Sequence, residues 1–429
     1  MIKIPKKVQL VVEALENAGH SAYIVGGCVR DLLLMDEPKD FDVTTSATPC
    51  EVKGLFARTI DIGIKHGTVA VIVKGEKIEV TTFRVDGLYL DGRRPESVSF
   101  TKSIQEDLSR RDFTINAIAY NPRTGFCDPF DGRKDIQSKL IRCVGDASER
   151  FNEDALRMVR AVRFAATLGF RVDEKIIDCI SLLKNKLSLV SIERINEETR
   201  KLLLGDFSEA LAIAEHTGIL PYMLVGGSIS TENLPSVISQ IKICPFDYPM
   251  RLALLLNGIC KNNRAVLLNS KLAGKVIKTV QIYLAYLHTP LECDKYKIKK
   301  ILRDVPVEIF DNLLVLKEIV SPSVSMSAIS DLKREIVEAG EIYSLKNLAV
   351  KGEDLIAIGI EPGKHMGQIL EDMLDQVMRC PEMNEKGKLL ERWVYEQTFS
   401  RDVGAGDRKA IFDGKGFQNP ERKLPPPLV

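Results

Sequence analysis

Two carboxylates near the start of the chain have the spacing of a phosphate-handling site. Asp40 and Asp42 flank Phe41 in the segment Phe41–Thr44, which predicts a strand. Residues two apart in a strand share a face, so both carboxylates point together while Phe41 and Val43 face the core. Adjacent negative charges are costly without a cation between them, and oxygen ligands suit Mg²⁺. The pair therefore predicts a magnesium site, although this pattern alone is as often a solvated turn.

A third carboxylate follows in a second predicted strand. Glu79 lies in the segment Ile78–Phe83, where Ile78 and Val80 point away from it. A neighbouring strand of one sheet could bring Glu79 to the metals held by the first pair. An exposed strand glutamate is an equally good interpretation of these residues.

Two glycines stand between a predicted strand, Ser21–Val25, and a predicted helix, Cys28–Met35. Gly26 and Gly27 let backbone N–H groups approach a phosphate closely. Arg30, in the first turn of the helix, could add a charge-assisted fork to the same oxyanion. Taken alone, a Gly-Gly pair more often marks a tight turn from strand to helix.

The segment Glu153–Leu168 predicts an amphipathic helix with an apolar and a charged face. At about 100° per residue, the apolar face carries Ala155, Met158, Val159, Val162 and Ala165. The charged half carries Asp154, Arg157, Arg160 and Arg163. The plain interpretation is a solvated basic face on which Asp154 pairs with Arg157 at i,i+3.

A second interpretation gives Asp154 and Arg157 a role in selecting a base without a template. Cytosine and adenine each present an amino donor beside a ring-nitrogen acceptor. A carboxylate can accept from the amine while a guanidinium donates to the ring nitrogen. Guanine and uracil present the reverse pattern, and each unpaired buried group would cost about 1–3 kcal/mol.

Six motifs occur in order within the first 200 residues, and together they form a highly specific series. They are VGGCVRD (Val25–Asp31), KDFDV (Lys39–Val43), RRDFTINA (Arg110–Ala117), DPFDG (Asp128–Gly132), EDALRMVRAVRFA (Glu153–Ala165) and ERINEE (Glu193–Glu198). This series resembles the class II tRNA nucleotidyltransferases, a branch of the DNA-polymerase-β-like superfamily. That branch includes bacterial CCA-adding enzymes and poly(A) polymerases. Beyond residue 205 the resemblance is weaker, chiefly at Gly352–Leu370.

The resemblance implies a role for each residue that matches a motif. Asp40 and Asp42 would hold the metals, and Gly27 and Arg30 the triphosphate. Arg111 would belong to the nucleotide site, Asp112 would contact the ribose, and Asp154 with Arg157 would read the base. Arg160 and Arg163 would complete the pocket, with Glu193 and Arg194 bracing the helix. We therefore predict catalytic residues Asp40, Asp42 and Glu79, and nucleotide-binding residues Gly26, Gly27, Arg30, Arg111, Asp112, Asp154, Arg157, Arg160 and Arg163.

The activity implied is the addition of CCA to the 3′ end of tRNA from CTP and ATP, with Mg²⁺ and release of pyrophosphate. Addition of the terminal A alone, and poly(A) synthesis, share these motifs and stay open. Relatives that add only CC lack the mobile loop that we expect at Arg84–Val98, so this segment disfavours that activity. An inactive tRNA-binding protein would be expected to lose Asp40, Asp42 and Asp154, and all three are present.

Length and element signals predict an α+β protein of several domains. With 429 residues, 45% hydrophobic and 28% charged, the chain is globular and too long for one ordinary core. Strand signals nearly vanish after Gly145, so a mixed-sheet head should precede mostly helical domains. The boundaries predicted are a catalytic head at 1–140, a neck at 141–226, a body at 227–310, a tail domain at 311–400 and a disordered end at 401–429.

Charge and cysteine usage bound the partners. Net charge is only +1, yet residues 261–303 carry ten Lys or Arg against two acidic residues. This stretch predicts contact with tRNA phosphates, the alternative being a solvated helical face. The nine cysteines include no CxxC pair, which argues against zinc and disulfides and favours the cytoplasm. No apolar run approaches the length of a membrane span, and we expect neither membrane nor DNA as a partner.

Overall fold

The computed structural model describes residues 3–87 and 97–400. The centre of the predicted mobile loop and the predicted disordered end both lie outside these residues. Eleven strands are present in the described part of the chain. They are β1 (Ala22–Val25), β2 (Asp42–Thr45), β3 (Thr59–Gly63), β4 (Thr68–Val73), β5 (Glu76–Thr82), β6 (Arg84–Asp86), β7 (Val98–Phe100), β8 (Ala119–Asn121), β9 (Gly125–Cys127), β10 (Leu140–Ile141) and β11 (Arg171–Val172).

Seven strands form one mixed sheet in the order β3-β4-β5-β2-β1-β8-β9. The pair β2 and β5 is parallel, and the other neighbours are antiparallel. In the parallel pair Asp42 is the direct partner of Glu79. The sheet thus places two of the predicted catalytic carboxylates side by side, and it confirms the mixed-sheet head.

Apolar residues with the matching period cover this sheet. In the first helix Val8, Val11, Val12 and Leu15 recur at helical spacing and are all buried. In β2 the residues after Asp42 are buried, whereas Asp42 itself is exposed. The carboxylate therefore lies at the point where the strand leaves the core.

Two predictions, one about a strand and one about a loop, need correction. Asp40 lies before β2 rather than within it, because the ladder with the neighbouring strands begins only at Ile24–Val43 and Asp42–Glu79. The ends of the predicted loop at Arg84–Val98 are paired as the hairpin β6–β7, with Arg84 opposite Phe100. The interior of that loop, residues 88–96, lies outside the described residues.

Helices make up most of the rest of the described chain. They are α1 (Lys6–Asn17), α2 (Gly27–Leu33), α3 (Pro49–Leu55), α4 (Ile104–Ser109), α5 (Gly132–Gln137), α6 (Ala147–Glu153), α7 (Leu156–Leu168), α8 (Glu174–Leu183), α9 (Ile192–Leu203), α10 (Ser208–Thr217), α11 (Leu220–Met223), α12 (Leu234–Ile243), α13 (Tyr248–Ile259), α14 (Asn263–Asn269), α15 (Gly274–Tyr286), α16 (Lys295–Asp304), α17 (Val307–Val320), α18 (Ser327–Glu338), α19 (Gly352–Ala357), α20 (Lys364–Arg379) and α21 (Lys386–Ser400). The α+β class with a helical C-terminal part is confirmed.

The helix predicted at Glu153–Leu168 is in fact two helices with a break between them. Asp154 is extended, with φ −145° and ψ 103°, between the end of α6 and the start of α7. Its carboxylate accepts a hydrogen bond from the backbone N–H of Leu156 at 3.1 Å. Such a local side-chain bond competes with continuation of a helix, which accounts for the break. The apolar face predicted for α7 is buried as expected.

The chain divides into two compact units. Unit 1 contains residues 1–289 and 315–324, and unit 2 contains residues 290–314 and those from 325 onward. The four-domain division from the sequence stays a prediction. In unit 2 the buried face of α20, with Ile369, Met373 and Val377, packs among apolar residues of neighbouring segments.

Two further observations concern the solvent and redox setting. No helix in the described ranges is long and apolar enough to cross a membrane. Each of the nine cysteines is a free thiol. The cytoplasmic location stays a prediction.

Candidate active site

A glycine turn connects β1 to α2 at the centre of the sheet. Gly26 has φ +81°, a conformation that favours glycine, and a Cβ there would lie 3.0 Å from Nη1 of Arg111. Arg30, one turn into α2, donates from Nη1 to Oδ1 of Asn116 at 2.6 Å and pairs with Asp31 at 2.6 Å. The structure therefore brings the glycines, Arg30 and Arg111 into one place.

The carboxylates lie where β2 begins, opposite the middle of β5. Asp40 and Asp42 are exposed, and Glu79 is half-buried on the adjacent strand. Glu79 accepts from Lys77 at 2.7 Å. Within the described ranges no three His, Cys, Asp or Glu side chains form a group that could hold a metal ion. A metal bound here would rest on Asp40 and Asp42, with its other ligands coming from elsewhere.

The electrostatics of Asp42 fit a bound cation. Partial desolvation by the surrounding protein raises the pKa of Asp42 above its ordinary value. Arg111 acts to lower that pKa, whereas the negative charges of Glu79 and Asp40 raise it. A divalent cation would relieve this repulsion, and hard carboxylate oxygens are the ligands that Mg²⁺ prefers.

A buried carboxylate, Asp107 on α4, connects strand β2 to Arg111. It accepts from Thr44 Oγ1 at 3.2 Å, from Arg111 Nη2 at 3.3 Å and from Arg110 Nη2 at 2.8 Å. Although burial alone would raise the pKa of Asp107, Arg110 and Arg111 hold it below its ordinary value. Arg111 is thereby fixed, while its buried Nε has no hydrogen-bond partner among the described residues.

Asp112, predicted to contact the ribose, is buried in a dense set of hydrogen bonds. Its Oδ1 accepts from the backbone of Phe113 at 2.8 Å and from Asn116 at 3.2 Å. Its Oδ2 accepts from Nε and Nη2 of Arg160 at 2.9 and 2.6 Å. Burial alone would raise the pKa of Asp112, but the Arg160 guanidinium holds it well below its usual range. A carboxylate accepts about four hydrogen bonds, so a ribose hydroxyl would have to replace one of these.

Asp154 and Arg157 are not paired with each other, which corrects the i,i+3 prediction. Asp154 accepts from both terminal nitrogens of Arg194, at 3.2 and 2.7 Å. Arg157 is buried and donates to Glu153 at 2.5 Å and to the Arg110 carbonyl at 3.0 Å. Asp154 lies before α7 and not within it, and each of the two groups has its own partner.

The charged half of α7 is therefore not a solvated basic face. Arg160 and Arg163 both donate to Glu198 on α9, at 3.4 and 2.8 Å. Glu198 is buried. In the structure the ERINEE segment braces α7 through Glu198 and Asp154 through Arg194.

Sequence reasoning missed three residues that organise this site: Asp107, Asn116 and Glu198. Asn116 joins Arg30 to Asp112 within the RRDFTINA segment. A polar residue in an otherwise apolar run was a usable signal for Asn116, since buried amides need partners. Glu198 stands on the buried face of α9, which its helical period reveals. Nothing local distinguished Asp107 from an exposed helical acid.

Three family descriptions match the chain in order. The poly A polymerase head domain matches residues 22–142, and the probable RNA and SrmB-binding site of polymerase A matches 169–226. The putative tRNA nucleotidyltransferase domain 2 matches 250–393. Fold, site and matches together define the class as a nucleotidyltransferase whose head is of the poly A polymerase type.

The relatives narrow this class to one family. A CCA-adding enzyme of Leuconostoc citreum is 36% identical over 396 residues, which are 90% of this chain and 94% of the relative. A CCA-adding enzyme of Anoxybacillus flavithermus is 38% identical over 385 residues, 89% of this chain and 94% of the relative. The crystal structure of the Bacillus stearothermophilus CCA-adding enzyme in complex with CTP matches with a TM-score of 0.79 at 33% identity, covering 92% and 98% of the two chains. The chain belongs to the family of CCA-adding enzymes.

Proposed function

We propose that this protein adds CCA to the 3′ end of tRNA, using CTP and ATP and releasing pyrophosphate. One observation carries the proposal: identity of 36–38% to CCA-adding enzymes over about nine-tenths of both chains. The tRNA 3′-hydroxyl attacks the α-phosphate of the nucleotide, forming a phosphodiester and releasing the β- and γ-phosphates. No nucleic-acid template takes part, so protein groups must select the base.

Asp40 and Asp42 are the residues that would hold the divalent metal ions that this family of nucleotidyltransferases generally uses, here Mg²⁺. The exposure of both carboxylates at the start of β2 and the raised pKa of Asp42 support this assignment. A bound Mg²⁺ supplies Lewis acidity that lowers the pKa of the attacking hydroxyl and neutralises charge on pyrophosphate. Glu79 is ion-paired with Lys77. It would contribute to the site through its negative charge next to Asp42.

Arginines fixed by buried partners receive the triphosphate. Arg111 is held through Asp107, and its Nη1 would lie 3.0 Å from a Cβ at Gly26. Arg30 is held by Asp31 and Asn116 and lies beside the Gly26 turn, where backbone N–H groups can approach a phosphate. A guanidinium held in place before the ligand arrives loses less freedom on binding.

The base is read by Asp154 and Arg157. The two side chains are held by Arg194 and Glu153 instead of neutralising each other. One acceptor position on Oδ2 of Asp154 stays open, since Oδ2 takes only the bond from Arg194. An acceptor from Asp154 and a donor from Arg157 would together fit the edge that cytosine and adenine share. Asp112 would favour ribonucleotides by exchanging one of its present bonds for the ribose 2′-hydroxyl.

Nine of the ten cations at 261–303 divide into two sets that favour different roles, and the tenth, Lys271, pairs with Glu193 at 3.0 Å. Lys261, Arg264, Lys275 and Lys278 are exposed and make no ion pair with any described residue. The five cations of α16 are all ion-paired within unit 2. We therefore assign tRNA phosphate contact to the first set, because unpaired cations release the most counterions on binding.

The test offers purified protein three tRNA transcripts, lacking CCA, CA or only the final A, with each nucleotide supplied separately. CCA addition predicts C on the first two transcripts and A on the third. Incorporation of A on the third alone would show an A-adding enzyme. Runs of A on every transcript would show a poly(A) polymerase, and no incorporation would leave only tRNA binding. The matched blank is the variant Asp40→Asn, Asp42→Asn.

A further inference from the structure

Three arginines of the candidate site surround one buried aromatic ring. Phe164 on α7 is 3% exposed. The guanidinium carbons of Arg163, Arg30 and Arg160 lie 3.5, 5.2 and 5.4 Å from its ring centroid. All three fall within the ~6 Å at which an aromatic face attracts a cation. Phe113 packs against Phe164 edge-on, with centroids 5.7 Å apart and planes at 81°. The ring is therefore held by the core on one side and faces cations on another.

Three like charges around one ring repel unless each is compensated. Each guanidinium has its own carboxylate, and the pairs are Arg30–Asp31 at 2.6 Å, Arg160–Asp112 at 2.6 Å and Arg163–Glu198 at 2.8 Å. Asn116 connects Arg30 to Asp112, and Glu198 connects Arg160 to Arg163. The arginines thus form one hydrogen-bonded chain laid over Phe164.

Arg163 has the most donor capacity to spare. Its Nε donates to Glu198, and its two terminal nitrogens have no hydrogen-bond acceptor among the described residues. Neither nitrogen is among the fully buried atoms that lack a partner, so both stay accessible to a ligand. A guanidinium carries five N–H donors in a rigid plane, and stacking at 3.5 Å on Phe164 sets that plane. The ring therefore decides where the open fork of Arg163 points.

We propose that Phe164 is a positioning residue for nucleotide binding, which orients the guanidinium group of Arg163 toward the phosphates that CTP and ATP share, while Arg30 and Arg160 complete the hydrogen-bonded arginine chain over the same ring. The inference rests on the proposed function, and it adds a requirement for an aromatic face at this position. A residue that merely filled the core could be replaced by another apolar side chain of similar volume.

The experiment measures the dissociation constants of CTP and ATP by calorimetry on the full chain without tRNA, together with KM and kcat for addition. Phe164→Leu keeps apolar volume and removes the ring; Phe164→Tyr keeps the ring. The matched control is Phe170→Leu, since Phe170 is 2% exposed and has no cation over its ring among the described residues. Phe164→Met replaces the leucine variant if that variant lacks a cooperative unfolding transition.

We expect Phe164→Leu to weaken CTP and ATP alike by about tenfold, with KM rising more than kcat falls. Phe164→Tyr should stay close to wild type, and Phe170→Leu should lower Tm but not affinity. The inference is overturned if Phe164→Leu keeps wild-type affinity, or if the tyrosine variant is as weak as the leucine variant. Failure of the wild-type protein to bind either nucleotide would instead overturn the proposed function itself.

Discussion

Helices α7 in unit 1 and α16 in unit 2 carry similar basic runs and use them in different ways. On α7, Arg160 and Arg163 pair with Asp112 and Glu198, and the two terminal nitrogens of Arg163 have no hydrogen-bond acceptor among the described residues. On α16, Lys299 is 2% exposed and pairs with Glu341 at 2.6 Å. The other four cations of α16 pair with acids of the same unit, namely Glu335, Glu292, Asp375 and Glu371.

The difference teaches that a run of positive charge does not by itself locate a binding site. What matters is whether the carboxylate partners use up the donors. In unit 1 the partners fix each guanidinium and leave some N–H groups open. In unit 2 all five cations of α16 have carboxylate partners within the same unit. The two runs therefore predict different effects of substitution, on nucleotide handling for α7 and on stability for the buried Lys299 of α16.

The largest loss of activity that we predict is at Asp42, the first residue of β2. Asp42→Asn should reduce both C and A addition by about a thousandfold or more, since metal stabilisation of the transition state amounts to several kcal/mol. Stability should stay the same or rise, because the pKa of Asp42 is raised in the folded protein by desolvation and by Glu79 and Asp40. Rapid-quench assays with Mg²⁺ and urea unfolding measure the two quantities. Near-normal turnover would remove Asp42 from catalysis.

The converse effect is expected on α16. Lys299→Ala leaves Glu341, whose side chain is 13% exposed, without its closest partner. Breaking a buried ion pair costs about 3 kcal/mol of unfolding free energy. Lys297→Ala is the control, since its pair with Glu292 is on the surface and contributes at most about 1 kcal/mol. Both variants should keep nucleotide selectivity; equal stability of the two would contradict the assigned role of Lys299.

Base selection gives a smaller and more specific effect. Two substitutions test it: Asp154→Ala, and Arg157→Lys, which keeps the charge but loses the planar fork. Each should weaken discrimination against UTP and GTP by roughly 1.5–3 kcal/mol. Efficiencies for the four nucleotides on tRNA lacking CCA measure this. Arg200→Ala, a surface residue paired with Glu197, is the control. If the variants keep the wild-type ratios of efficiency among the four nucleotides while overall rates fall, Asp154 and Arg157 have a structural role and do not select the base.

The smallest effect concerns single unpaired cations. Lys275→Ala should reduce the slope of log affinity for tRNA against log salt by about 1, leaving affinity for CTP unchanged. Lys297→Ala should change that slope less, because Glu292 already neutralises Lys297. Filter binding between low and physiological salt gives both slopes. A larger change of slope for Lys297→Ala than for Lys275→Ala would assign tRNA contact to α16, which lies within the basic stretch 261–303 that the sequence predicted to contact tRNA.

Much of the site was legible from the chain because its chemistry is local. The glycine turn and the carboxylates of Asp40 and Asp42 depend on residues a few positions apart, and the sheet places them as the period-2 pattern predicts, except that Asp40 precedes the strand. The buried face of α7 followed from helical periodicity in the same way. The assigned roles of the site residues stay predictions that the experiments above test.

The pairing of charges could not be obtained in this way. Asp154 was expected on Arg157, three positions away, but contacts Arg194, forty positions along the chain. Likewise nothing near Phe164 in sequence showed that Arg30 would lie over its ring. A long flexible cationic side chain has several carboxylates within reach, and differences of about 1 kcal/mol choose among them.

The amino-acid sequence by itself determined the mixed-sheet head and the buried apolar face of α7, since both depend on local period and spacing. Its series of six motifs indicated the class of protein through resemblance to a known family. The tertiary structure decided which cations keep open donors, that α6 and α7 are separate, and that Lys299 is buried. These outcomes depend on packing between segments distant in sequence, where burial fixes the partner of every charge because an unpaired one is too costly.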